Sequence, residues 1–595
     1  MLDLVIRGGT LVDGTGNAPV TGDVGVRDGR IVAVGGRIGE AARETIDADG
    51  ALVTPGFIDV HTHYDGQFLW DDRMDPSFSH GITTAIAGNC GVGFAPLRPE
   101  FRRELIELME GVEDIPGVVL DVGMDWKWRS FADYLDQLGA RSYSMDVASQ
   151  IAHAPVRVAV MGERALNMET ATAEDIAAMA SIVGEAMTAG ALGFSTGRIS
   201  EHVSSKGAPV PGTYAPAEEL LAIAKAMGAA GHGTFQMVPF GAIGGVVSGF
   251  IDRDARQAEH DLIVQIAEAS GRPVTYLMLQ ISDDREDWFR MLAESERHAA
   301  RGLRIHPQIA SRPGGMLATL QTHHPFRFRP SYREVENLPL AERLQALRDP
   351  ARRARILAEA SVDDPNASQV DKRMAAMFVH HARELYPLSL PLNYEPAEAN
   401  SLGAMADRAG VDPVEYLYDH LTAGDGGNVA ADNLLNYADG NLDAMHDMLA
   451  HPLVISGLGD GGAHLNTICD ASMTTSQLIH WARDRTRGPK FPVEHIVSKI
   501  TRDNARLFGL GDRGVIADGM RADLNVIDFE NLSLELPKIH HDLPNDGPRL
   551  LQGSRGYVAT AVAGTVTRRH DEDTGARPGR LIRGRASQGM RQAAE

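Results

Sequence analysis

Eight short apolar runs recur through the middle of the chain, near residues 56–61, 82–88, 147–153, 191–196, 233–239, 274–280, 303–310 and 453–459, with helical patterns between them. This alternation constrains the fold more than any other feature. Parallel strands cannot be joined by a tight turn and need a crossover, usually a helix, so repeated βα units build a parallel sheet covered by helices. Eight units predict an α/β fold of the TIM-like (β/α)8 barrel type, whose functional side chains collect at the C-terminal ends of the strands. Ala173 to Ala189 and Pro216 to Ala230 are two of the intervening helices. The distance to the eighth run is too long for one unit, so residues 311–452 are read as an insertion. It holds a charged helical stretch, Leu340 to Ala360, and glycine-rich turns near 423–428. On the catalytic face of a barrel, an insertion of this size often serves as a lid.

The two ends of the chain have a different texture. Leu4-Val5-Ile6-Arg7 runs into Gly8-Gly9, and Val24-Gly25-Val26 leads through Asp28-Gly29 to Ile31-Val32-Ala33-Val34. Short β runs punctuated by Gly and Asp form antiparallel units. The pattern returns at Ala522 to Ile527, Tyr557 to Val562 and Thr565-Val566-Thr567. Both ends are therefore expected to meet in one β-sandwich flanking the barrel. The predicted organisation is residues 1–54 as the N-terminal part of that sandwich and 55–480 as the barrel with its insertion. Residues 481–595 then supply the last barrel helix, the rest of the sandwich and a polar tail after about 583.

Composition narrows the partners. With 595 residues, 43% apolar and 23% charged, the chain can bury a substantial core. A net charge of −23 disfavours nucleic acid and anionic membranes and leaves a small-molecule substrate. The opening segment has no basic stretch followed by a long apolar one, and no run of about 18 apolar residues occurs, so neither a signal peptide nor a membrane span is expected. Two cysteines, Cys90 and Cys469, cannot form a disulfide framework and suggest a reducing, cytoplasmic setting. Homo-oligomer formation is left open.

Chemistry concentrates at strand ends. Gly56-Phe57-Ile58-Asp59-Val60-His61-Thr62-His63 is an apolar strand closing on two histidines two residues apart. Alternate strand residues share a side, so both imidazoles can face one metal ion, and imidazole suits zinc. The bland alternative is a pair of polar strand-end residues bonded to each other or to water. Gly88-Asn89-Cys90-Gly91-Val92-Gly93 follows the second run, where a thiolate can ligate a metal or a thiol can simply fill the core. Ser456-Gly457-Leu458-Gly459-Asp460-Gly461-Gly462-Ala463-His464 ends the eighth run. There Asp460 is either a turn former or a carboxylate that touches the metal and moves protons. His464 either supports the site or stacks in the loop.

Taken together, Pro55 to Gln67, Gly81-Ile82-Thr83-Thr84 and Asn89 to Gly93 resemble the amidohydrolase superfamily. Within it, Met109-Glu110-Gly111-Val112-Glu113-Asp114-Ile115-Pro116, Ala191 to Gly197, Ala505 to Leu510 and Thr574 to Arg580 resemble the N-acyl-D-amino-acid deacylase (D-aminoacylase) branch. The likeness is dense over roughly 1–200 and 450–583. It implies a TIM-like barrel with a β-sandwich, and zinc held by His61, His63 and Cys90. It also implies that Asp460 is both ligand and acid/base.

The pattern breaks at two places. The branch puts metal-binding histidines at the ends of the fifth and sixth strands, and here those stretches read Thr234-Phe235-Gln236-Met237-Val238-Pro239 and Thr275-Tyr276-Leu277-Met278-Leu279-Gln280. Amide oxygen is a weak zinc ligand beside imidazole or thiolate. One zinc per chain is therefore expected, with His306 as a further candidate on the seventh strand. Arg198 and His153, with His464, are candidates for binding the substrate. The expected reaction is metal-dependent hydrolysis of a non-peptide C–N amide bond, first of all deacylation of an N-acyl-D-amino acid or related N-acyl compound. A cyclic amide or lactone hydrolase, a decarboxylase and a non-catalytic ligand-binding barrel are the alternatives.

Overall fold

In the computed structural model, which describes residues 1–244, 252–365 and 367–585, every one of the eight apolar runs contains a parallel strand. Phe57–Asp59, Ile82–Ala87 and Asp146–Ser149 form one sheet. Ile151–Ala152, Gly193–Gly197, Thr234–Val238, Val274–Leu277, Ile305–Ile309 and Ile455–Ser456 form a second, in that order. Gln150 alone separates the two sheets, and its N–H donates to Ala87 O at 2.9 Å. At the far edges, just past the first and last strands, Thr62 and Gly461 make a parallel bridge. Asp460 N–H donates there to His61 O at 3.0 Å, and His63 N–H to Gly461 O at 2.8 Å. All six residues of Ile82–Ala87 are buried, as parallel strands covered on both faces require.

The predicted helices end where local chemistry says they should. Ala173–Ala189 starts behind Thr172, whose hydroxyl accepts from Asp175 N–H while the Asp175 carboxylate accepts from Thr172 N–H, a reciprocal capping box. It stops at Gly190, whose φ of 110° an L side chain rarely adopts. Ala217–Ala230 stops at Gly231 in the same way.

Strands from both chain ends join in a single nine-stranded ladder rather than in two separate sheets. Leu2–Leu11 and Leu52–Pro55 pair in parallel, and Leu524–Ile527 joins the far side of Leu52–Pro55. The ladder bends back on itself: Ala522 N–H donates to Gly29 O and Gly564 N–H to Ala522 O, which brings two distant turns together. The apolar cluster so enclosed includes Ile6, Val24, Ile31, Val53, Val526 and Ala561.

The stretch 311–452 has its own core, with Phe326, Leu347, Phe378, Leu417 and Leu421 buried among short helices. Its charged stretch is two helices, Leu340–Leu347 and Pro350–Ala358, because Pro350 lacks an N–H and starts a new first turn behind the Asp349 cap. A three-stranded antiparallel sheet, Gly314–Thr319, Val429–Leu435 and Leu385–Pro387, links this core to the parallel strands. Of the polar tail expected after about 583, residues 586–595 lie outside the described residues. No helix among the described residues is long and apolar enough to cross a membrane.

Candidate metal centre

His61 and His63 follow the first strand on the C-terminal side of the parallel sheet and are buried. Their rings stand 5.5 Å apart at a steep angle. His61 Nε2 lies 3.1 Å from Cys90 Sγ and 3.6 Å from Asp460 Oδ1, and His63 Nε2 lies 3.7 Å from the same carboxylate oxygen. One donor atom from each of His61, His63 and Cys90 falls within 4.8 Å of the others. His61 Nδ1 is held at 2.7 Å by Gln308 Oε1, so the neutral ring carries its proton there and leaves Nε2 with a lone pair.

Backbone geometry aims the other two donors. Cys90 and Asp460 have φ of 55° and 45°, a left-handed conformation uncommon for residues other than glycine. The loop before Cys90 presses so close to the third strand that a Cβ on Gly88 would sit 2.1 Å from Gln150 O. Cys90 N–H donates to Gln236 Oε1 at 3.0 Å. Gln236 therefore spends its oxygen on the backbone of this loop. The Gln280 amide nitrogen donates to Asp439 at 2.6 Å.

Glu113, at the C-terminal end of Arg102–Glu113, is 1% exposed and completes the cluster. Its Oε1 lies 3.3 Å from His63 Nδ1 and its Oε2 lies 3.5 Å from His464 Nε2. His464 N–H also donates to Glu113 O, which ties the eighth-strand loop to this helix. Sequence reasoning quoted Glu113 only inside a motif. No spacing rule joins a helix end to histidines about 50 and 350 residues away.

Burial shapes the charges. It pushes His61 down to about 4 and His63 well below the usual imidazole range. The same burial, reinforced by the negative charges of neighbouring acids, lifts Cys90, Glu113 and Asp460 well above their ordinary values. Glu113 Oε1 and His63 Nδ1 make no well-formed hydrogen bond although both are buried. Two imidazoles, a thiol and carboxylates, shut in together, form a donor set that suits zinc and satisfies its own electrostatics around a divalent cation. The residues present fit such an ion.

Other sequence candidates lie elsewhere. Arg198 turns from the cavity to Glu259, at 2.9 Å, and to Ala215 O at 2.6 Å. His153 is buried between Thr196 and Glu219 at 2.9 and 2.8 Å, and Glu219 is shared with Arg157. His306 holds Leu453 O at 3.1 Å. His464 does line the cavity of about 180 Å³ beside the cluster, and so does His202, which sequence reasoning missed.

Residues 44–568 match the Amidohydrolase family. The chain is 28% identical to an uncharacterized protein of Mycobacterium tuberculosis over 95% of this chain and 91% of that one. It is 37% identical to the D-aminoacylase of Alcaligenes xylosoxydans xylosoxydans over 38% of this chain and 43% of that enzyme. A solved structure of N-acyl-D-glutamate deacylase from Bordetella bronchiseptica, complexed with zinc and a phosphonate inhibitor, aligns with a TM-score of 0.61 at 23% identity, covering 98% of this chain and all of that one. The chain belongs to the amidohydrolase family and is a metal-dependent hydrolase of carbon–nitrogen bonds other than peptide bonds.

Proposed function

We propose that this chain deacylates an N-acyl compound, the class to which N-acyl-D-amino acids belong, with one zinc ion held by His61, His63, Cys90 and Asp460. The observation that carries this reading is the convergence of His61 Nε2 and His63 Nε2 on one Asp460 oxygen, at 3.6 and 3.7 Å, with Cys90 Sγ beside them. Zinc, when bound, supplies Lewis-acid polarisation and a lowered pKa for water. Asp460 accepts a proton from the attacking water and later passes it to the departing nitrogen. Water thus adds across the C–N bond: the acyl carbon gains oxygen, the nitrogen gains hydrogen, and an acid and an amine leave.

The parallel strands of the eight runs support closure into a (β/α)8 barrel, since the edge strands approach at Thr62 and Gly461. In that scheme residues 1–54 and part of 481–595 make the flanking β unit, and 311–452 is an insertion in the barrel at 55–480. A second reading, hydrolysis of a cyclic amide or lactone, uses the same residues.

The test is release of amine from a panel of N-acyl compounds by zinc-loaded protein. Turnover is expected, is lost on treatment with a strong chelator, and returns with added zinc. Turnover that survives complete removal of metal would sink the proposal.

Glu113 positions His63 in this reading. A carboxylate behind a ligating histidine fixes its ring and raises its basicity. Glu113→Gln is expected to weaken zinc binding about 10–100-fold. Competition with a chromophoric chelator reads that loss, while the thermal midpoint of the metal-free protein stays within a few degrees of wild type. Unchanged zinc affinity would make Glu113 a purely structural residue.

A further inference from the structure

The cavity beside the metal-ligand cluster has an apolar wall built from Val238, Leu277, Leu279, Met316, Leu434 and Leu435. These come from the fifth and sixth parallel strands and from the antiparallel sheet of the insertion, so two separate parts of the fold make the same choice. The polar remainder is imidazole, thiol or acid: Glu113, Asp460 and Asp470 all face in. Among the described residues, no lysine or arginine lines it.

The cations that stand nearby are committed elsewhere: Arg373, whose charge reaches His202 of the cavity, donates to Glu201 O at 3.0 Å. Arg198 binds Glu259 and a backbone carbonyl. Arg312, just beyond the seventh strand, gives one nitrogen to Asp470 at 2.8 Å and to Cys469 O at 2.9 Å, the other to Ser472 at 2.9 Å, and stacks on Tyr394 at 4.5 Å. A divalent ion would already be matched in charge by the Cys90 thiolate and the Asp460 carboxylate. A substrate carboxylate entering here would lose its hydration against the apolar wall and find no free counterion, which is a costly way to bury a charge.

We infer that the substrate is an N-acyl amine with apolar flanks and no free carboxylate on either side of the scissile bond. This rests on the deacylation reading above and narrows it. Rejection of the acid comes from the cavity wall, so it is a property separate from the chemistry of the cluster.

The test uses matched pairs on the zinc-loaded full-length protein: N-hexanoyl-leucine against N-hexanoyl-leucinol, in both the D and the L series. Amine release gives kcat/KM, and calorimetry on the same preparation gives binding. The alcohol is expected to exceed the acid by at least about a hundredfold in kcat/KM. Equal or faster turnover of the acid overturns the inference and leaves the deacylation reading intact. Release from neither compound defeats the deacylation reading, and binding then decides: tighter binding of the alcohol upholds the rejection of carboxylate, and equal or tighter binding of the acid overturns it. A second variant guards the argument. Leu434 is only partly buried on the cavity rim, and Leu434→Lys places a cation there without touching the cluster. It is expected to cut the preference for the uncharged partner at least about tenfold, and an unchanged ratio would count against the electrostatic explanation.

Discussion

Asp460→Asn is expected to lower kcat at least about a thousandfold, the upper range for losing a positioned proton carrier. Asparagine keeps the size and one oxygen of the side chain, so the left-handed turn at φ 45° and the Asp460 N–H bond to His61 O are preserved. What it cannot do is accept the proton of water or return it to nitrogen. The substitution also removes a carboxyl from a largely buried site, where burial and the charges of Asp470 and Asp59 already press it towards its neutral form. The variant is therefore expected to fold at least as stably as wild type without metal. Steady-state rates on the preferred substrate, with zinc content measured on the same sample, separate the two functions of Asp460. A fall in rate that tracks zinc loss would make it chiefly a ligand. A fall below tenfold with zinc retained would remove it from the proton path.

The double variant His61→Ala/His63→Ala is expected to reduce zinc from about one ion per chain to near zero, since only Cys90 and Asp460 of the proposed set of four remain and structural or catalytic zinc needs at least three protein ligands. Elemental analysis of protein purified without chelators reads this directly. Two ions in the wild type would refute the single-ion reading. At this cluster the side chains that would complete a second site are engaged elsewhere: the Gln236 oxygen accepts from Cys90 N–H, the Gln280 amide nitrogen donates to Asp439, and His306 Nδ1 meets Leu453 O, while His260, Glu294 and His298 form a separate group whose donor atoms lie within 4.8 Å of one another. No metal in the wild type would favour a barrel that binds ligands without turnover. The double variant also strips Gln308 Oε1 of its partner, a buried group whose loss of a hydrogen bond costs about 1–3 kcal/mol. The thermal midpoint is thus expected to fall as well, by a few degrees.

Much of this protein is legible without coordinates. The alternation of apolar runs and helical patterns located the parallel strands, the third run holding two of them on either side of Gln150, because burial on both faces leaves an apolar run that a sequence displays directly. The glycine stops and the Thr172 cap are local interactions within a few residues, and so they too are written in the chain. His61-Thr62-His63, Cys90 and Asp460 could be picked out because each stands at a strand end, where this architecture gathers its chemistry. The antiparallel β texture at both ends announced that the two would meet, but whether they made one ladder or two was set by the pairing of Leu524–Ile527 with Leu52–Pro55.

Folding alone decided the rest. Arg198, two residues beyond Ser195-Thr196, has the right position for a substrate carboxylate, yet Glu259 on a later helix draws it away. His153 likewise ends its strand facing Glu219. Glu113, quoted only as part of a motif, comes to lie 3.3 Å from His63, and Gln308, which holds His61, carries no mark in the sequence and is 247 residues from its partner. Period, propensity and spacing report what a residue does with its near neighbours, and they determined the strands, the helices and the donor types. Which distant carboxylate finds which imidazole, and whether a cavity offers a cation or an apolar wall, depends on how those elements pack, since a partner is chosen by distance in space and not by distance along the chain.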